Sequence, residues 1–397
     1  MKKMPEVVRM EEALSFDYQS NGNFHLNFKT NYGFIRSLCI KGMVDDVNNY
    51  ADNLKRYKNF VQVGIGGSAL GATASIEFLQ GIYHNLENEK KYFVLDNIDP
   101  ERMKFILSLD FKDTVFHIVS KSGQTTETIS QFLIIYEKVK ESLGKDADRH
   151  FIFTTGKSGF LRDFGKEHKI DMFNIPDEVG GRYSIFTPVA LVPLAFLGFD
   201  IDSFIEGAKV AVRAYRNGWS TPNDFAEFAV GECKNGRNML VFFAYKDRLL
   251  SLADWFRQLW AESLGKDGKG QTPIKALGVT DQHSQLQLYQ DGPKDKAFVF
   301  LDSVNLIDFE VKEGYLKGRK LGEIMETEKI STIKALTEHS VNCTQFFINK
   351  IDEFHLGAFC ISLMIATAKS GEILNVNPFN QPGVELGKKY TKEALGL

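Results

Sequence analysis

Between residues 60 and 173 the chain repeats one pattern: a short apolar run, a polar or glycine-containing loop, then a stretch with helical periodicity. The apolar runs fall at 60–63, 92–95, 114–119 and 151–153, with a weaker one at 171–173. This alternation constrains the fold more than any other feature, because strands that alternate with helices build a parallel sheet covered by helices on both faces. Ligands of such sheets bind beyond the carboxyl ends of the strands, so the loops after residues 63 and 119 are the first places to look for chemistry.

A polar connector at 217–224, containing Gly218 and Pro222, predicts a boundary, after which a second α/β unit begins. Its signals are a strand at 238–244, a helix at 248–264, a strand at 297–301 and helices at 322–338 and 352–369. A chain of 397 residues has room for two such domains. The expected architecture is two doubly wound, parallel-sheet α/β/α sandwiches with a C-terminal helix. The expected division is an N-terminal segment 1–45, domains 46–215 and 216–375, and a tail 376–397 whose helix starts at Pro382.

Apolar residues make up 43% and charged residues 25%, which excludes a disordered or fibrous chain. The net charge of −3 is spread over mixed acids and bases, so no nucleic-acid partner is expected and any anion site must be local. No run reads as a signal peptide or a convincing membrane span, and no membrane association is expected. Cys39, Cys233, Cys343 and Cys360 stand apart, without disulfide or zinc spacing, as suits a cytoplasmic protein.

The first glycine turn, Gly64-Ile-Gly-Gly-Ser68-Ala, opens a helix and suits close approach to a phosphate. It also satisfies Gly-x-Gly-x-x-Ala, and Asp96 ends the next apolar run, so dinucleotide binding, phosphosugar binding and a purely structural turn all remain open for this motif. The hydroxyl-rich stretch Ser120-Lys-Ser-Gly-Gln-Thr-Thr-Glu-Thr128, again ahead of a helix, favours a phosphate monoester held by hydroxyls, backbone N–H groups and the helix dipole. Gly180-Gly-Arg-Tyr-Ser184 sets a permanent cation beside two residues that admit a close backbone.

Glu262 lies in the last turn of the 248–264 helix, at the negative end of the macrodipole, where a carboxylate costs about 0.3–1 kcal/mol. Gln258 shares its face one turn earlier. His283, in a polar stretch, has no histidine partner at metal-ligand spacing, and Lys388 reads as a solvated helix lysine.

Taken in order, Gly64–Ser68, Ser120–Thr128, Gly180–Ser184, Glu262-Ser263, Gln282-His283 and Gln381-Pro-Gly-Val-Glu-Leu-Gly-Lys388 closely resemble phosphoglucose isomerase, in its shorter bacterial form. The resemblance runs from about residue 60 to the end. It implies sugar-isomerase domains, a homodimer, and interconversion of glucose 6-phosphate and fructose 6-phosphate with no cofactor and no metal. By the same resemblance Ser68, Ser120, Ser122, Thr125 and the Lys121 backbone hold the phosphate. Glu262 is the base for the C1/C2 proton, Arg182 stabilises the enediolate, and His283 and Lys388 assist ring opening, His283 from the neighbouring subunit. Gly67, Thr128, Gly181, Gln258 and Gln381 are expected around the same substrate. Two competing readings are a non-catalytic phosphosugar sensor and a nucleotide-dependent dehydrogenase.

Overall fold

The computed structural model describes residues 7–9 by backbone alone and residues 32–396 in full. Most of the expected N-terminal segment 1–45 therefore lies outside the described residues. Among those described, ten strands form two sheets. In chain order they are β1 (Val7–Arg9), β2 (Asn59–Val63), β3 (Lys91–Leu95), β4 (Thr114–Ser120), β5 (Phe151–Thr155), β6 (Asp171–Asn174), β7 (Met239–Ala244), β8 (Thr272–Leu277), β9 (Lys296–Ser303) and β10 (Cys343–Ile348).

The first sheet has the order β3-β2-β4-β5-β6 and the second β1-β10-β9-β7-β8, and every pairing is parallel. The doubly wound expectation holds for both. In the first sheet the chain steps from β2 outward to β3 and then returns to the other side of β2 with β4. The order reverses between β2 and β4, so the glycine turn and the hydroxyl loop flank the switch point. Gly64 packs against the carbonyl of Val119, which makes the two loops neighbours.

Strands β4, β5 and β9 are buried along their whole length, as expected for parallel strands covered on both faces. Phe60, Val115 and Ile152 face one way, into a core that also takes Leu240, Phe242, Val299 and Leu301 from the second sheet. Val61, Phe116 and Phe153 face the other way, into a separate cluster. One apolar layer is thus shared by the two sheets. Helices α1 (Leu70–Gln80), α2 (Thr126–Leu143), α3 (Ile201–Arg216), α4 (Leu250–Leu264), α5 (Glu353–Leu374) and α6 (Glu385–Leu395) matter most for the site.

Between α3 and the next helix, Thr221–Lys234, only residues 217–220 intervene, so the connector is shorter than its composition suggests; Pro222 sits in a helical first turn, where it is tolerated. Helix α5 is long and apolar enough to cross a bilayer, with a mean hydropathy of 1.3, yet it is almost wholly buried between other helices. Helix α6 is different: none of its residues is buried, and Leu386, Tyr390 and Leu395 are each more than half exposed.

Helices α1 and α4 pack antiparallel. At one end Arg248 Nη1 donates to the Phe78 carbonyl at 2.8 Å and Ser251 donates to Glu77. At the other end Gly66, at the entry to α1, lies against the Gln258 side chain. The C-terminal turn of α4, from the second half of the sequence, is thereby delivered to the carboxyl edge of the first sheet.

Candidate active site

The hydroxyl loop after β4 folds onto the N-terminus of α2. Ser120 Oγ lies 2.8 Å from Thr125 Oγ1 and 3.4 Å from Ser122 Oγ, and Ser122 Oγ accepts from the Gln124 N–H at 3.2 Å. Gly123 takes a φ of 65°, which lets the loop turn back on itself. Thr125 is the N-cap of α2 but spends no side-chain bond on the cap, which leaves its hydroxyl with the cluster. Thr128 is buried one turn further in, and its hydroxyl has no partner among the described residues.

Lys121 turns away from the hydroxyls. Its ammonium donates to the carbonyls of Asp177 and Val179, both at 2.8 Å, and burial pushes its pKa down. The side chain pins the segment that leads into Gly180 and Gly181.

That segment meets the glycine turn backbone to backbone. Ser184 Oγ lies 2.7 Å from the Gly181 carbonyl and 3.1 Å from that of Gly67. A Cβ placed on Gly67 would stand 2.1 Å from the Gly181 carbonyl oxygen, far inside contact distance. Gly67→Ala is therefore expected to force the two turns apart, costing about 1–3 kcal/mol as overpacking does, with a raised KM for substrate. Thermal melts and steady-state kinetics on the variant check it; an unchanged Tm would refute the tight joint. Ser68 ends the same turn, partly exposed, its carbonyl accepting from Gln62 Nε2 at 2.7 Å.

Arg182 is 3% exposed, and its guanidinium is held on every side. Nε donates to Ser263 Oγ at 2.7 Å, Nη1 to Gln381 Oε1 at 3.1 Å, and Nη2 to the carbonyls of Pro378 and Asn380 at 2.5 and 3.1 Å. Nη1 also stands 3.3 Å from Glu262 Oε1. The other carboxylate oxygen, Oε2, accepts from Gln258 Nε2 at 3.0 Å. Gln258 Oε1 is buried with no partner among the described residues. Glu262 thus has one neighbour on each oxygen while its side chain keeps 26% exposure. A carboxylate fixed in this way and open to a ligand can take a proton, and a preorganised cation beside it can stabilise an oxyanion.

The structure joins Glu262, Gln258, Arg182, Gly181, Gln381 and Gly67 in one contact network. It sets the Ser120–Thr125 hydroxyls in the adjoining loop. It does not bring His283 or Lys388 to this network. His283 ends an exposed turn braced by Asp281, whose carboxylate accepts from the Leu277 N–H and the Ser284 hydroxyl, both at 2.7 Å. Lys388 sits on α6 and pairs with Glu385 at 2.9 Å in solvent.

Three participants are assigned no role from the sequence. Ser263 orients Arg182, Tyr183 adds its hydroxyl 3.0 Å from Ser263 Oγ, and Lys266 donates to carbonyls at the end of α4. The proximity of Ser263 and Lys266 to Glu262 in sequence was the one available signal. Asp96, the candidate ribose acid of the dinucleotide reading, is paired with Arg102 at 2.7 Å.

Comparison with known proteins supports the architecture and gives the family. The pattern of the phosphoglucose isomerase family matches residues 36–294. The glucose-6-phosphate isomerase of Carboxydothermus hydrogenoformans is 42% identical over 372 residues, covering 86% of this chain and 80% of that protein. That of Thermus thermophilus is 36% identical over 365 residues, covering 88% and 87%. A solved structure of a hypothetical protein from Thermus thermophilus superposes with a TM-score of 0.84 at 34% identity, over 97% of this chain and 94% of that one. A glucose-6-phosphate isomerase from Chlamydia trachomatis gives 0.81 at 21% identity over 97% and 78%, a likeness of fold. With the family match covering residues 36–294 and a relative 42% identical over 86% of this chain, the chain belongs to the phosphoglucose isomerase family.

Proposed function

We propose that this chain interconverts glucose 6-phosphate and fructose 6-phosphate, with Glu262 carrying the proton between C1 and C2. The observation that carries the assignment is the Glu262 carboxylate held between Arg182 and Gln258, beside a hydroxyl loop at a helix N-terminus. The Ser120, Ser122 and Thr125 hydroxyls, with Ser68 and the backbone at Lys121, take the phosphate. Anchoring that end orients C1 and C2 against one carboxylate, which converts a bimolecular encounter into a positioned one. Glu262 removes the proton from one carbon and returns it to the other on the same face. The intermediate enediolate carries its charge on oxygen, and the Arg182 cation beside Glu262 offsets that charge through space, its own N–H donors being held by the protein.

Ring opening falls to His283 and Lys388, which requires a second copy of the chain to supply His283. The exposed apolar side chains of α6, together with Leu306, Ile307 and Tyr315 around the 310–320 hairpin, are the surfaces such a homodimer would cover. The four cysteines are free, as suits action in the cytosol.

A coupled assay run in both directions, with a metal chelator present, tests the assignment. Interconversion at undiminished rate is expected, and no turnover of either hexose phosphate would overturn it.

A further inference from the structure

Glu262 sits where the helix dipole disfavours it, and the structure contains a device that offsets this. The last turn of α4 leaves carbonyls without intrahelical donors. Lys266, just past the helix end, curls back and donates to the carbonyls of Glu262 at 3.1 Å and Ser263 at 2.5 Å. Its third donor goes to the Asn377 carbonyl at 2.7 Å. An ammonium has three N–H groups, so all are spent on backbone oxygens and none is free for substrate. A cation at this end of the helix also opposes the local negative potential that would otherwise raise the energy of the Glu262 carboxylate.

Asn377 opens the turn that holds the guanidinium. Its Oδ1 accepts from the Phe379 N–H at 2.9 Å, and the residues that follow present Pro378 O, Asn380 O and Gln381 Oε1 to Arg182. The helix end that carries the carboxylate and the strap that aims the cation are separate segments of chain. Lys266 bonds to both.

We propose that Lys266 is a positioning residue, a clamp between the end of α4 and the 377–381 turn that sets the spacing of Glu262 and Arg182 for proton transfer. The proposal rests on the isomerase assignment for its kinetic consequence but on contacts alone for the clamp itself. Burial first, and then the Arg182 charge, push the Lys266 ammonium down to about 8, while Glu262 and Asp267 act the other way. These are the charged groups that face it; the 377–381 turn contributes carbonyls and amides only. Above that pH the amine keeps two N–H donors and must release one of its three carbonyls. The clamp is therefore complete below about 8 and loosens as pH rises through it.

Lys266→Met and Lys266→Arg distinguish a clamp from a helix cap that merely stabilises. Lys266→Met is expected to lower kcat on the order of 10²-fold, the scale of a misplaced catalytic group, with KM moving far less. Wild-type kcat is expected to fall on the alkaline side around pH 8. Lys266→Arg, which stays protonated, is expected to recover most of the activity and to lack that alkaline fall. A Lys266→Met enzyme with wild-type kcat, or an alkaline fall that persists unchanged in Lys266→Arg, would overturn the proposal. If the wild-type chain turned over neither hexose phosphate, the isomerase assignment would fail by itself. The clamp would then be read from a crystal structure of Lys266→Met, where the 377–381 turn is expected to withdraw from Arg182. A turn left in place would refute it.

Discussion

Replacing Glu262 with glutamine is expected to lower kcat by about 10²–10⁴-fold, the range that a positioned general base supplies. The amide matches the carboxylate in shape, and Gln258 Nε2 can still donate to its oxygen, but it cannot accept the C1 or C2 proton at neutral pH. The phosphate loop is untouched, so the affinity for fructose 6-phosphate should stay near that of the wild type. A coupled assay gives the first quantity and titration calorimetry the second. Should Glu262→Gln isomerise at close to the parent rate while binding substrate, the base lies elsewhere.

Arg182→Ala should damage both stability and turnover, for separable reasons. The guanidinium leaves Gln381 Oε1 and the Asn380 carbonyl without their donor, and leaves Ser263 Oγ and the Pro378 carbonyl with only the Tyr183 hydroxyl. Breaking a buried charged pair costs about 3–5 kcal/mol, and the partial exposure of Glu262 places the expectation at the lower end. Loss of the preorganised cation should lower kcat by a further 10²–10³-fold or so in enzyme that remains folded. Arg182→Lys separates the two effects, since a point charge retains attraction for an enediolate but cannot reach every acceptor of the fork. A denaturation midpoint measured beside kcat gives both numbers. Full activity in Arg182→Ala enzyme that remains folded would assign the residue to structure rather than chemistry.

The first sheet was legible because its central strands are buried on both faces and so read as unbroken apolar runs; the expected strands at 60–63 through 171–173 lie within β2–β6. The second sheet was only half visible. Strand β8 carries Pro273, a residue that argues against a strand unless the strand is at an edge, which is where β8 lies. Strand β10 mixes Thr344 and Gln345 with its apolar residues, and β1 is three residues long and pairs with β10 across nearly the whole chain. The hydroxyl and glycine loops stood out because their chemistry is contiguous in sequence. The acceptors around Arg182 did not: every residue has a carbonyl, and only the fold selects those of Pro378 and Asn380, nearly two hundred positions away. His283 and Lys388 were legible only through the resemblance, and a single copy of the chain leaves both in solvent.

The contact between Gly67 and Gly181 bears on which sugars the site can choose. No side chain stands between the two backbones, so the turn beside the phosphate loop and the turn that carries Arg182 cannot slide past one another. With the phosphate and Glu262 placed as proposed above, a joint this tight is expected to work as a gauge, holding a constant reach from the phosphorus to the reacting carbon. A sugar phosphate with too few carbons would not fill both ends of that reach at once, and a longer one would have to buckle. Selection by backbone length is then the expected consequence of the seam between two glycines, and comparing kcat/KM for pentose and hexose phosphates checks it.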